Sequence, residues 1–161
     1  MGTVRPHLWY HSGAEDAAAF YAATIPNSSV TKVVLAPRGV PDVEPGVPFI
    51  VEFVLDGMPV TAINAGSALT LDEAFSMYLT CESQEEVDHY WEALTADGGQ
   101  ESVCGWLKDR FGLSWQIVPT RLYELISDRD PARAAAATEA MMQMRKIVVA
   151  DLEAAADAAG A

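Results

Sequence analysis

Basic residues and cysteine are scarce in this 161-residue sequence. Ten lysines and arginines stand against 23 aspartates and glutamates, which gives a formal net charge of −13 at pH 7. A chain this acidic repels nucleic-acid phosphates and anionic lipid headgroups, so we expect neither nucleic acid nor a membrane as a partner. The two cysteines, Cys81 and Cys104, are interpreted as reduced thiols rather than as a disulfide.

Long apolar runs and several nucleotide and catalytic motifs are also missing. No stretch approaches the roughly 20 apolar residues of a membrane-spanning helix, and residues 1–6 lack the pattern of a signal peptide. These absences and the reduced thiols predict a cytoplasmic protein. The sequence has no P-loop, no dinucleotide fingerprint, no Gly-x-Ser-x-Gly elbow and no Cys-x-x-Cys pair, so we expect none of the sites that these motifs build.

Residues 1 to about 70 carry the pattern of a strand, a helix and three more strands. Ser12 is predicted to cap the helix, because Glu15 stands at the capping-box position three residues later. The pair Asp56-Gly57 predicts a tight hairpin between the last two strands. The predicted strands cover residues 4–10, 30–35, 49–55 and 58–63.

Residues 71 to about 120 repeat this pattern. A shift of 70 residues aligns the two helices and places Phe20 over Tyr90, and Ser83 with Glu86 forms a second capping box. A unit of strand, helix and strands that occurs twice predicts two modules in a single core. The predicted apolar stripe of the second helix consists of Val87, Tyr90, Trp91 and Leu94. The predicted strands of this half cover residues 75–81, 101–104, 106–110 and 113–118.

The tail differs from both modules. Asp130-Pro131 is a strong helix start, and we predict one helix from there to about residue 159. Its apolar stripe must be buried on its own sheet or on a partner chain, and we favour a partner chain in a dimer. The stripe consists of Met141, Met144, Ile147 (or Val148) and Leu152.

The spacing of the histidines in the sequence predicts that they do not form a metal cluster. His7 and His11 lie four residues apart on one strand face, which separates them by about 13 Å and prevents a shared metal ion. We interpret both as surface or half-buried residues, and His89 as a solvated residue of the second helix.

The tryptophans allow two interpretations. Trp9, Trp106 and Trp115 lie on strands and could line a cavity for a small planar or apolar ligand, with Asn64, Ser76 and Gln116 orienting it. The alternative is that these rings only fill the core between sheet and helix, as expected for Trp91.

Several longer stretches resemble the PhnB-like branch of the vicinal oxygen chelate superfamily. The most specific is Cys-Gly-Trp-Leu-Lys-Asp-Arg-Phe-Gly-Leu-Ser-Trp-Gln-Ile-Val-Pro at 104–119, supported by residues 83–88, 20–28, 51–57 and 141–146. The resemblance implies an α+β fold in which paired βαβββ modules form one cup-shaped mixed sheet, plus a C-terminal helix. It also implies a single glyoxalase-like domain over 1–161 and a homodimer.

Relatives in this superfamily include glyoxalase I, extradiol dioxygenases, and fosfomycin- and bleomycin-resistance proteins, many of which bind a divalent metal through His and Glu. The resemblance places the corresponding positions near Pro6 or His7, near Asn64, at Ser76 and at Gln116. Neutral side chains hold divalent ions weakly, so we expect no resident metal and no other cofactor. His7 is the only strong ligand nearby, and it should face away if Pro6 faces inward.

Three functions therefore stand as expectations. The first is an enzyme, a glyoxalase-like lyase or isomerase or another vicinal oxygen chelate enzyme, that acts on a small oxygen-bearing organic molecule in a tryptophan-lined cup with a degenerate metal site. Glu52 is its expected general base, and either cysteine is an alternative nucleophile. The second is a metal-free protein that binds or sequesters a small molecule, of the bleomycin-resistance type. The third, a 3-demethylubiquinone-9 3-methyltransferase as this branch is often named, is disfavoured because nothing in the sequence is typical of an S-adenosylmethionine site. The expected substrate-binding residues are Trp9, Asn64, Ser76, Trp106, Trp115 and Gln116.

Overall fold

The chain folds as two units, each with its own four-stranded mixed sheet. The computed structural model describes residues 2–160, and contacts within the chain divide it into Met1–Leu71 and Asp72–Ala161. The predicted α+β class with paired βαβββ modules is confirmed. Among the described residues the strands form two separate hydrogen-bonded ladders rather than one continuous sheet.

The first unit contains β1 to β4 and helix α1. Its sheet has the order β1-β4-β3-β2, with β1 parallel to β4 and the other pairs antiparallel. The hairpin predicted at Asp56-Gly57 is confirmed. The elements are β1 (His7–Tyr10), α1 (Ala14–Thr24), β2 (Ser29–Leu35), β3 (Pro48–Leu55) and β4 (Met58–Asn64).

The predicted cap of α1 is wrong. Gly13 occupies the cap position in a left-handed conformation, and no side chain of that residue can close the first turn. The Asn64 side chain does so instead, because its Oδ1 accepts a hydrogen bond from Ala14 N at 2.8 Å. The Ala14 N–H group, which has no acceptor within the helix, thus finds one on β4. Because Asn64 lies 50 residues further along the chain, local sequence spacing does not reveal this partner.

The second unit repeats the arrangement with the order β5-β8-β7-β6, β5 being parallel to β8. Ser83 caps α2 as predicted, accepting from Glu86 N at 3.2 Å, and α1 and α2 begin 70 residues apart. The strand predicted over 101–104 is shorter than expected. The elements are β5 (Ser76–Cys81), α2 (Gln84–Thr95), β6 (Gln100–Glu101), β7 (Trp106–Lys108) and β8 (Ser114–Pro119), with a 3-10 turn at Ala96–Gly98.

The tail forms three helices. Two of them lie within residues 131–159, so the single helix predicted there is wrong. The three helices are α3 (Thr120–Ile126), α4 (Pro131–Met142) and α5 (Val149–Ala159). The chain leaves helical geometry after Met142 because the carbonyls of Met144 and Arg145 accept hydrogen bonds from Cys104 N and Gly105 N, both at 2.8 Å. Asp130 caps α4 as predicted.

The apolar stripe of the tail is buried inside its own unit. Ile147 and Leu152 are fully buried in a cluster with Val118 and Leu122, and Met141 and Met144 pack against this cluster. The expected homodimer therefore does not depend on this stripe, and it stays a prediction. No helix within residues 2–160 is both long and apolar enough to cross a membrane.

Candidate functional site

The second sheet has one face covered by α2 and one face that carries polar and aromatic side chains. Because side chains alternate between the two faces along a strand, Met77, Leu107 and Trp115 lie on the side of α2, where all three are buried. Their neighbours along each strand point the other way. We call this second surface the open face, and it is defined by Ser76, Tyr78, Trp106, Lys108, Ser114 and Gln116.

These six side chains form two rows across three strands. Ser114 is the register partner of both Ser76 and Lys108, which makes the first row. In the second row Gln116 is the partner of both Tyr78 and Trp106. The two rows are two residues apart along each strand, a distance of roughly 7 Å, so one small molecule can reach both rows at once.

Ser76 and Gln116 occupy positions where the resemblance implies metal ligands. They instead bond to each other, with Gln116 Nε2 donating to Ser76 Oγ at 2.9 Å. A hydroxyl and an amide are neutral donors that hold a divalent ion weakly. Among residues 2–160 there is also no group of three His, Cys, Asp or Glu side chains that could hold a metal ion. The residues present do not fit a divalent metal.

A groove of about 400 Å³ opens beside the first row, between β6, β7 and β8. Ser114 lies at its base and is 1% exposed, and Trp106 and Lys108 are half-buried along it. The Lys108 ammonium group forms an ion pair with the Glu73 carboxylate at the mouth. A hydrogen bond from Lys108 lowers the pKa of the Glu73 carboxyl, so Glu73 is ionised at neutral pH.

Trp115 does not line the open face. It is 2% exposed, and its Nε1 donates to Asp109 Oδ2 at 2.9 Å within the core. Adjacent residues of a strand point to opposite sides, so Trp115 and Gln116 cannot both contact one ligand on the same face. The ring of Trp115 therefore fills the core, which is the second of the two interpretations given for the tryptophans.

Two of the expected site residues in the first unit have structural contacts. Asn64 is 7% exposed, and its amide donates to Glu15 Oε2 at 2.7 Å and to Pro48 O at 3.0 Å in addition to closing α1. Trp9 is half-buried and its Nε1 donates to Gly66 O at 3.0 Å. These bonds use the polar atoms that a ligand would otherwise contact.

Glu52 and His7 lie in one polar row across the first sheet. Thr61 is the register partner of both residues, and Lys32 is the partner of Glu52 on the other side. His7 therefore shares its face with Glu52, and its Nδ1 lies 2.7 Å from Thr61 Oγ1. A general base at Glu52 stays a prediction, with Thr61 and Lys32 as its cross-strand neighbours.

The two thiols differ in their accessibility. Cys81 is fully buried, and this burial, with Glu86 and Glu82 nearby, raises its pKa to about 12. A thiol is nucleophilic only when it is ionised, so Cys81 cannot serve as a nucleophile near neutral pH. Cys104 is half-buried, with its Sγ 3.6 Å from Met142 Sδ.

We therefore expect one fast-reacting thiol per native chain. Titration with Ellman's reagent at pH 8 should modify Cys104 within minutes and leave Cys81 unmodified until denaturant is added. In Cys104→Ser the fast phase should disappear, whereas in the matched Cys81→Ser variant it should be unchanged. Fast modification of Cys81 in the native Cys104→Ser variant would contradict this assignment.

Sequence reasoning missed Ser114, Lys108 and Glu73. The signal for the first two was present, because strand alternation puts Ser114 on the same side as Gln116, and Lys108 on the same side as Trp106. Glu73 precedes β5 and comes close to Lys108 only in the folded chain, so the local sequence pattern could not predict this contact.

Sheet topology and sequence comparison agree on the class of protein. The two βαβββ units are the architecture of glyoxalase-like proteins, and a family model described as 3-demethylubiquinone-9 3-methyltransferase matches residues 2–118. The chain belongs to this family, the PhnB-like branch of the vicinal oxygen chelate superfamily. No curated protein matches the chain significantly in sequence.

Solved structures give the same result. The PhnB protein from Bacillus cereus is 26% identical with a TM-score of 0.66, and the match covers 74% of this chain and 100% of that one. Protein PA1353 from Pseudomonas aeruginosa is 16% identical with a TM-score of 0.60, over 74% and 98% of the two chains. The fosfomycin resistance protein FosX from Listeria monocytogenes is 16% identical with a TM-score of 0.51, over 77% and 97%. The last two similarities show the fold alone.

Proposed function

We propose that the protein binds a small oxygen-bearing organic molecule on the open face of the second sheet, without a bound metal ion. The observation that carries this proposal is the groove beside Ser114, whose buried hydroxyl has no hydrogen-bond partner among residues 2–160. A groove that places polar groups beside aromatic and aliphatic side chains is typical of small-molecule sites.

The groups on the open face favour binding over turnover. Lyase or isomerase chemistry needs a side chain that gives and takes protons near neutral pH. Ser76 and Gln116 are neutral and bonded to each other, and Lys108 is held by Glu73. Burial and a hydrogen bond with Tyr123 raise the pKa of Tyr78, so this phenol is a weak acid here. We therefore place the protein with the metal-free binders of the superfamily rather than with its lyases or its methyltransferases.

Tryptophan fluorescence tests this proposal directly, because Trp106 lies on the open face. Titration with benzoate, benzamide and catechol is expected to give a saturable change with at least one probe, unaltered by prior dialysis against EDTA. Gln116→Ala removes a neutral hydrogen-bonding group and should weaken that binding about fivefold. The matched control Gln143→Ala, an exposed amide outside the face, should have no effect.

Four results would speak against the proposal. Absence of a saturable change with every probe would remove the site, as would equal effects of Gln116→Ala and Gln143→Ala. Binding that is lost after EDTA and restored by Mn²⁺ or Zn²⁺ would show that a metal is needed. Consumption of a probe, followed by proton NMR, would favour the enzyme, and S-adenosylmethionine is expected to leave the fluorescence unchanged.

A further inference from the structure

The base of the groove contains a buried polar atom that the protein does not satisfy. Ser114 is 1% exposed, and its Oγ is the one buried side-chain polar atom within residues 2–160 that has no hydrogen-bond partner. A buried hydroxyl without a partner is unfavourable, and in native proteins such groups call for an explanation. Ser114 is among the residues that line the groove, so the missing partner is one that a bound ligand could provide.

One cation lies next to this hydroxyl. Lys108 is the cross-strand partner of Ser114 and the only basic residue among the described residues that line the groove. The Lys108 side chain is 28% exposed, whereas its partner Glu73 is 68% exposed at the groove mouth. An exposed ion pair of this kind contributes little to stability, so another carboxylate can take the place of Glu73 on the ammonium group.

A flat apolar wall completes the groove. Trp106 is half-buried two residues before Lys108 on the same face of β7, and Val103 extends the apolar surface at the edge. A tryptophan ring stacks well against another planar ring. The groove therefore combines an apolar surface with the Ser114 hydroxyl and the Lys108 ammonium as hydrogen-bond donors. Gln100, Glu101 and Ser102 add further polar groups to its lining.

We infer that the ligand is a small carboxylic acid with a flat apolar body. This inference rests on the proposed binding function and names its ligand class. The ligand carboxylate displaces Glu73 from Lys108 and accepts a hydrogen bond from Ser114 Oγ, while the flat body lies against Trp106. The place on the Lys108 ammonium group that the ligand carboxylate takes is called the anion position. Glu73 occupies it when no ligand is bound and thus acts as an internal competitor.

The acidity of the chain does not prevent this binding. Glu101, the other carboxylate at the groove, accepts from Trp91 Nε1 at 2.9 Å, and its Oε2 lies 3.5 Å from Arg145 Nη1. Both oxygens of Glu101 therefore have a partner other than Lys108. Repulsion from the remaining acidic surface is screened beyond about 8 Å at physiological ionic strength.

Benzoate and its neutral isostere benzamide test the ligand class at 0.15 M salt. Wild-type protein is expected to bind benzoate about tenfold more tightly than benzamide by fluorescence or calorimetric titration, as one charge-assisted hydrogen bond predicts. Lys108→Gln should abolish this preference, and Ser114→Ala should weaken benzoate about fivefold. Glu73→Gln should strengthen benzoate severalfold and leave benzamide unchanged, which a merely structural role of Glu73 would not do.

The controls separate this inference from the proposed function. Lys146→Gln removes a cation that pairs with Asp88 away from the groove, and it should leave the benzoate preference intact. Equal binding of benzoate and benzamide, or a preference that survives Lys108→Gln, would overturn the carboxylate inference and leave small-molecule binding in place. If none of the probes binds, both the carboxylate inference and the proposed binding function are overturned. Tighter benzamide binding in Glu73→Gln would overturn the role of Glu73 as competitor, and circular dichroism of each variant checks the fold.

Discussion

Replacing Gly105 with alanine is expected to destabilise the protein by about 3 kcal/mol, whereas Gly112→Ala costs about 1 kcal/mol. Both glycines have positive φ, +83° and +90°, so both substitutions carry the conformational penalty of a left-handed alanine. At Gly105 a Cβ atom would also lie 2.8 Å from Ile117 O, a backbone atom that cannot move aside, and 3.2 Å from the buried Ile147. At Gly112 nothing lies within 4 Å.

The two variants form a matched pair, because their difference isolates the steric conflict. Urea denaturation followed by far-ultraviolet circular dichroism measures the free energy of unfolding for each. Gly105 also donates to Arg145 O at 2.8 Å, so the clash falls where the segment between α4 and α5 meets β7. Equal destabilisation in Gly105→Ala and Gly112→Ala would show that this segment can shift to admit a methyl group.

This contact explains why the tail was the least predictable part of the fold. Most strands and both helices of the repeat could be predicted, because alternation, the α2 cap and the hairpin signal are local in the sequence. The cap of α1 could not, because its acceptor Asn64 lies on β4. The break between α4 and α5 depends on hydrogen bonds from Cys104 and Gly105, about 40 residues earlier in the chain. Apolar spacing through Met144 and Ile147 continues across that break, so periodicity alone predicts one helix.

The candidate site was predictable only in part for a related reason. Ser76, Gln116 and Trp106 were expected in the site, and the structure brings them onto the open face. Trp115 was expected beside Gln116, although neighbouring residues on one strand must face opposite sides. Ser114 and Lys108 become neighbours through the register of the β7–β8 hairpin. That register is set by the turn between the strands, which the sequence pattern does not specify uniquely.

Asp109 holds that turn, and Asp109→Ala is expected to destabilise the protein by about 4 kcal/mol. The residue is 3% exposed. Oδ1 accepts from Phe111 N at 2.9 Å and from Leu113 N at 3.1 Å, while Oδ2 accepts from Trp115 Nε1 at 2.9 Å. Removing the carboxylate leaves these three N–H groups without this acceptor, and hydrogen bonds to a buried charge are among the strongest in proteins. Urea denaturation measures the loss.

Two further variants show whether the carboxylate itself is responsible. Asp109→Asn keeps one acceptor oxygen but presents an amide to a second donor, so its cost should fall between wild type and alanine, at about 2 kcal/mol. Glu124→Ala removes an exposed carboxylate from an ion pair with Arg121 and should cost no more than about 0.5 kcal/mol. A cost for Asp109→Ala no greater than that of Glu124→Ala would contradict the structural role of the turn. Because this turn sets Lys108 opposite Ser114, its integrity is a condition for the carboxylate binding that we infer in the groove.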